Sequence, residues 1–158
     1  HHADRCLPLE SLQYFFQHRL PHVVSREHEL SGIGFQDLER GGYQRLIDSS
    51  TVDVVGVDPA RAEGITGFRE IDRRVGAAGL TVNAHAWSTA ITTAASLHLS
   101  LASANARLLE LKPFPVAVQQ ELVAEPVRQI DGFTSPLNGP GLGVEVDEAV
   151  VRRLRYTA

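Results

Sequence analysis

The sequence predicts an α/β fold built on parallel strands. The prediction rests on three apolar runs, which are residues 52–58 (VDVVGVD), 81–87 (TVNAHAW) and 108–113 (LLELKP). Each run is short enough for a buried strand, and each leads to one proton-handling side chain, namely Asp58, His85 and Glu110. Because the loops that follow parallel strands converge on one face, we expect these three side chains to lie at one edge of the sheet.

The composition is that of a single soluble globular domain, with 158 residues, 43% apolar residues and 22% charged residues. The net charge of −4 and the scattered Lys and Arg residues argue against nucleic-acid binding. No apolar run approaches the roughly 18 residues of a membrane span, and the N-terminus lacks the pattern of a signal peptide, so we expect a cytoplasmic protein with no membrane contact. The lone Cys6 cannot form an internal disulfide.

The chain contains no Met, and residue 1 is His. We therefore expect the chain to be the later part of a longer protein, or its first two histidines to be the remnant of a tag.

The first part of the chain predicts a helix, a strand and a second helix. Residues 7–20 carry apolar side chains at helical spacing, and residues 22–25 form a brief apolar run that ends in the charged residues 26–29. A helical pattern returns over residues 35–47, where Gly41-Gly42 predicts an interruption.

The remaining pattern alternates strands with helices. A strand over residues 52–57 ends at Asp58-Pro59, because proline cannot continue a strand ladder. Thr66 is expected to cap a helix that runs to residue 78 and stops at Gly79. A strand over 80–84, a helix over 88–104 and a strand over 107–111 follow. The tail has turn clusters at 131–132 and 138–141 and a short helix from about Asp147.

These elements amount to about half of a (β/α)8 barrel, which needs roughly 250 residues. The predicted fold class is thus a partial TIM barrel. Residues 1–113 would form the half-barrel, and residues 114–158 would form a tail that packs back on it.

Asp58 and His85 follow consecutive strands, so their side chains would lie about 5 Å apart. A carboxylate that accepts the Nδ1 proton of an imidazole fixes its tautomer and raises its basicity, which suits a general acid or base near neutral pH. The alternative is that Asp58 caps its loop and His85 is a satisfied polar residue. Glu27 and Glu110 could ligate Mg²⁺ or bind a substrate, or each could be a solvated surface acid.

Several stretches in this order resemble the C-terminal half of the enolase superfamily, in its mandelate-racemase-like branch. They are REHELSG (26–32), VDVVGVDPARAEGIT (52–66), VNAHAW (82–87), LLEL (108–111), EPVRQIDGF (125–133) and NGPGLGVEVDE (138–148). The resemblance covers residues 7–158. It implies a barrel that removes the proton α to a carboxylate while Mg²⁺ stabilises the enediolate. Many members of that branch dehydrate sugar acids, and some racemise.

The resemblance also implies residue roles. Glu27 resembles the third metal-ligating carboxylate, and Asp58 and His85 resemble the family's Asp–His dyad. Glu110 resembles the acid that hydrogen-bonds the substrate carboxylate or its enediolate form. The sequence departs from the family at Arg26, where glycine is usual, and Glu29 competes with Glu27 for the ligand role. Two further carboxylate ligands and a lysine motif of the family are not found before residue 7.

We therefore expect a fragment of a Mg²⁺-dependent sugar-acid dehydratase, which is a lyase, acting on a small carboxylate substrate. The isolated chain is expected to be inactive. One alternative is a racemase or epimerase of a 2-hydroxy acid. Another is an inactive half-barrel that self-associates through its open strand edges, and a homo-oligomer is expected in either case.

Overall fold

A computed structural model describes residues 40–49 and 52–155 of the chain. In chain order, the elements within these ranges are α1 (Arg40–Asp48), β1 (Val54–Val57), α2 (Gly64–Ala77), β2 (Thr81–Ala84), α3 (Ala90–Ala102), β3 (Ala106–Leu109), α4 (Ala117–Gln120), β4 (Gln129–Ile130), β5 (Phe133–Thr134) and α5 (Glu148–Arg153). The helix predicted over 7–20 and the strand predicted over 22–25 lie outside the described residues.

A parallel sheet of three strands, in the order β1-β2-β3, forms the centre of the described fold. The register pairs Val57 with Ala84 and Ala84 with Leu109, and a register shift interrupts the pairing of β2 with β3. The helices α2 and α3 connect one strand to the next. The predicted α/β class with parallel strands is therefore confirmed.

The core lies between one face of this sheet and α2. Val55 and Val57 of β1 alternate with more open positions and are fully buried, because successive strand residues point to opposite faces. Phe68, Ile71 and Val75 recur at helical spacing along α2 and join the same cluster. Burial of one such side chain contributes roughly 1.5–3 kcal/mol, so this interface fixes where the ends of β1 and β2 lie.

The loop between β1 and α2 differs from the prediction. The cap of α2 is Glu63, with a left-handed backbone (φ 59°), and Gly64 also has a positive φ of 72°. The two residues make a tight turn that starts the helix at Gly64, so Thr66 lies inside its first turn and the predicted cap is wrong. The predicted interruption at Gly41-Gly42 is also wrong, since α1 continues through both glycines.

The tail packs against α3. Leu122 and Val123 form a small cluster with Ala90 at the start of α3, and His98 of the same helix lies with its Nε2 3.2 Å from the backbone oxygen of Leu142. Strands β4 and β5 pair as an antiparallel hairpin whose turn is Asp131-Gly132, both residues with positive φ, as the turn cluster predicted.

No helix in the described part of the chain is long and apolar enough to cross a membrane.

Candidate active site

The sheet register brings three polar side chains to neighbouring positions. Asp58, His85 and Glu110 are each the first residue after β1, β2 and β3, and the pairing of Val57 with Ala84 and of Ala84 with Leu109 places them side by side. The backbone N–H of His85 donates to the oxygen of Val57 at 2.9 Å, which extends the ladder by one step. The predicted cluster at one edge of the sheet is thus present, with His85 in the middle.

His85 and Glu110 form an ion pair or a neutral hydrogen bond, depending on the protonation state of the imidazole. Nδ1 of His85 lies 3.0 Å from Oε2 of Glu110, and about a quarter of each side chain is exposed. The hydrogen bond to Glu110 raises the pKa of His85 above its ordinary value. Burial opposes the rise, and the charges of Glu110 and Asp58 add to it. With Nδ1–H directed at Glu110, Nε2 is the ring atom that could exchange a proton with a substrate.

Asp58 was the expected Nδ1 partner, and the structure gives its carboxylate other contacts. Oδ1 of Asp58 accepts the backbone N–H of Ala60 at 2.9 Å, and Oδ2 lies 3.6 Å from Nε of Arg61. Asp58 is only 3% exposed, so its charge acts on His85 through a partly desolvated region. Burial and this charge raise the pKa of Tyr43, a core residue of α1, to about 12. Asp58 thus both caps its loop, as the simpler alternative expected, and adds charge beside His85.

Side chains of α3 and α4 hold the backbone that follows β2. Oγ of Ser96 donates to the oxygen of His85 at 2.6 Å, and Oγ1 of Thr93 donates to the oxygen of Ala86 at 2.7 Å. Nε2 of Gln119 donates to the same Ala86 oxygen at 3.1 Å. These three residues were not among the predicted site residues. The sequence signal was the spacing of Thr93 and Ser96, which are three residues apart in an Ala- and Leu-rich helix and therefore lie on one face.

One aromatic ring, Trp87, lies next to His85, and a second, Phe114, lies next to Trp87. Trp87 has its ring centroid 5.8 Å from that of His85, and Phe114 meets Trp87 edge to face at 6.4 Å. They belong to the segments that follow β2 and β3, so they line the same edge of the sheet as the three polar residues.

The described residues do not form a metal site. Within 40–49 and 52–155, no group of three or more His, Cys, Asp or Glu residues is arranged to hold a metal ion. Three residues of the predicted metal site lie outside these ranges. They are the predicted ligand Glu27, the alternative ligand Glu29, and Arg26, which stands where the family usually has glycine. The assignment of Glu27 to a metal, and the roles of Asp58, His85 and Glu110, therefore stay predictions.

The family model that matches this chain is described as "Enolase C-terminal domain-like" and covers residues 36–150. Among solved structures, a protein provisionally named mandelate racemase from Bordetella bronchiseptica, complexed with 2-oxoglutarate and phosphate, is 30% identical with a TM-score of 0.72. The match covers 77% of this chain and 33% of that one.

Two further structures show the same relationship. An enolase from Agrobacterium radiobacter, provisionally named galactarate dehydratase and bound to Na and L-malate, is 26% identical with a TM-score of 0.66, over 76% of this chain and 34% of that one. An enolase from Pantoea ananatis with bound D-gluconate and Mg is 24% identical, with a TM-score of 0.64, over 73% of this chain and 28% of that one. This chain thus spans about a third of the length of these proteins.

Proposed function

The chain belongs to the enolase C-terminal domain-like family, and on that basis we propose that it contributes the proton-transfer residue of a sugar-acid dehydratase. His85 would be that residue. In the proposed reaction, the proton α to a carboxylate and the hydroxyl on the next carbon leave as water. The resulting enol then becomes a 2-keto-3-deoxy acid.

The observation that supports this proposal is the contact of His85 with Glu110. A carboxylate that accepts the Nδ1 proton makes Nε2 the ring nitrogen that takes up a proton, and it stabilises the imidazolium that then forms. The raised pKa of His85 makes the imidazole a stronger base, and it also keeps more imidazolium available to protonate a leaving hydroxyl. One residue can therefore serve in either half of the dehydration.

The remaining roles belong to the same proposal. Asp58 would support the positive charge of His85, and the ionised Glu110 would hold Nδ1–H of the imidazole. A protonated Glu110 would instead donate to the substrate carboxylate or to its enediolate form. The bound malate of the Agrobacterium structure is a small carboxylate of the expected kind. Mg²⁺ would be bound by Glu27 and by carboxylates elsewhere in the protein. In this proposal His85 transfers the proton, and bound Mg²⁺ would stabilise negative charge on the substrate.

A racemase or epimerase is the second candidate, because the Bordetella relative carries the name mandelate racemase at 30% identity. The first half of both reactions is the same removal of the α proton. The two candidates differ in whether water is then lost or a proton is returned.

The test uses the full-length protein with a set of aldonic and aldaric acids in D₂O, followed by NMR. Dehydration gives a 2-keto-3-deoxy acid, whereas racemisation places deuterium at the α carbon without a keto product. His85→Asn should lower turnover by about 10²–10⁴-fold, the usual contribution of a general acid or base. The circular dichroism spectrum of the variant should match that of the wild type, which shows that the fold is intact. Retained turnover in a folded His85→Asn protein would contradict the proposal.

A further inference from the structure

Trp87 occupies a distinctive position two residues beyond His85. Its ring is inclined by 32° to the imidazole at a centroid distance of 5.8 Å, so it stands beside the proton-transfer residue and does not lie flat against it. The ring of Phe114 packs edge to face on its other side, and Nζ of Lys112 lies 5.1 Å from the centroid of Phe114. The two loops therefore form an aromatic wall, Trp87 and Phe114, next to His85.

The indole N–H of Trp87 has no acceptor among the described residues. Its Nε1 atom is nevertheless buried. An indole N–H is a donor only, and the rigid ring fixes its direction, so it cannot turn to another partner as a hydroxyl can. A buried donor without an acceptor is costly, and such groups in native structures call for an explanation.

We propose that Trp87 is a substrate-binding, specificity-determining residue whose N–H donates to a hydroxyl oxygen of the bound acid. This inference rests on the proposed function, since it names how the same site selects its substrate. The indole N–H is a neutral donor and suits a neutral hydroxyl, because a carboxylate bound to it would be desolvated without a charged donor in that bond. The cation at this wall, Nζ of Lys112, lies over Phe114. The preferred substrate is thus an acid with hydroxyls beyond the reacting carbons.

The test compares Trp87→Phe with the wild-type full-length protein on a polyhydroxy acid and on its single-deoxy analogues. Phenylalanine keeps a ring against Phe114 and removes only the donor. Loss of one hydrogen bond to a ligand should raise KM about tenfold for the parent acid. If the bond is equally strong in the ground and transition states, kcat should change little. One deoxy analogue lacks the hydroxyl oxygen that accepts the Trp87 hydrogen bond. For this analogue, the variant and the wild type should have the same KM.

Calorimetric binding on the same panel separates this inference from the proposed function. If the wild type binds and converts the acids and Trp87→Phe behaves identically, the role of Trp87 alone is overturned. An equal loss on every deoxy analogue would also overturn it, because that pattern reports ring packing and not a specific hydrogen bond. A wild type that neither binds nor converts any acid of the panel would overturn the proposed function and this inference with it.

Discussion

Replacing Glu110 with Gln tests which carboxylate controls His85. The substitution is nearly isosteric, and the amide oxygen of Gln can still accept the Nδ1 proton, so the orientation of the ring should survive while the negative charge is lost. The matched control is Asp58→Asn, which removes the other nearby charge. Asparagine can keep the bond from the backbone N–H of Ala60, so the loop after β1 should stay in place.

The 3.0 Å contact between His85 and Glu110 sets the expected magnitude. A hydrogen bond to a charged group contributes about 1.5–3 kcal/mol and a neutral one about 1 kcal/mol, so Glu110→Gln should cost about 0.5–2 kcal/mol when His85 is positively charged. That corresponds to roughly a two- to thirty-fold loss in kcat/KM. Asp58 acts by charge alone, and Arg61 at 3.6 Å offsets part of that charge, so Asp58→Asn should cost about fivefold or less.

Two measurements follow the effect on His85 itself. In an NMR titration of ¹⁵N-labelled imidazoles, assigned with His85→Asn, the pKa of His85 should fall in both variants and fall further in Glu110→Gln. If His85 acts as the base, the rising limb of kcat/KM against pH should move to lower pH in the same order. The raised pKa of His85 also stabilises the wild-type fold fully at pH values below the ordinary histidine value of 6.5. That stabilisation is lost as pH rises through the higher folded pKa, and Glu110→Gln should shrink this dependence.

The opposite ranking would refute this reasoning. If Asp58→Asn lowers the pKa of His85 and kcat/KM more than Glu110→Gln does, then Asp58 is the dominant partner. The Asp58–His85 dyad that the family resemblance implies would be the correct assignment. Glu110 would then be left for the substrate alone.

Two other predictions concern the surroundings of His85 and the loop before α2. Trp87 is the only tryptophan in the 158 residues, and a protonated imidazole 5.8 Å away should quench its fluorescence. The tryptophan emission of this chain should therefore rise as pH increases through the pKa of His85. A pH-dependent rise that persists in His85→Asn would contradict this prediction. Gly67→Ala should lower the free energy of unfolding, measured in urea, by about 1–3 kcal/mol, because a Cβ at this position would lie 1.8 Å from the backbone oxygen of Ala62. An unchanged urea midpoint would show that the loop can move away from the added methyl group without a loss of stability.

The parts of the site that depend on strand ends could be predicted from the sequence. Runs such as VVGV and TVNA are short, apolar and bounded by polar or turn residues, so each strand end could be placed within a residue or two. The side-by-side placement of Asp58, His85 and Glu110 then followed from the convergence of parallel strands. The turn at Asp131-Gly132 was equally local, because positive φ at both positions favours those residue types.

The parts that depend on side-chain reach and backbone strain could not be predicted. The choice of partner for Nδ1 of His85 depends on small differences in the direction of two carboxylates on either side of it, and one of these, Asp58, is engaged by its own loop. The left-handed backbone of Glu63 is unusual for that residue type, so the sequence favoured Thr66 as the start of α2. The position of Trp87 against Phe114 brings together residues 27 apart in the chain (114 − 87), which no local pattern relates.

The proposed chemistry has two requirements, proton transfer and substrate recognition, and different residues around His85 meet them. An imidazole between two carboxylates gains basicity from both, and this holds whether the reaction ends in loss of water or return of a proton, because both begin with the same proton transfer. The reaction outcome and the substrate must then be set by groups that contact the rest of the acid. In the proposal above, Trp87 is the donor that makes that contact, and its aromatic neighbour Phe114 comes from the loop after β3. Changes at Glu110 should therefore alter the rate for every substrate, whereas changes at Trp87 should alter which substrate is preferred.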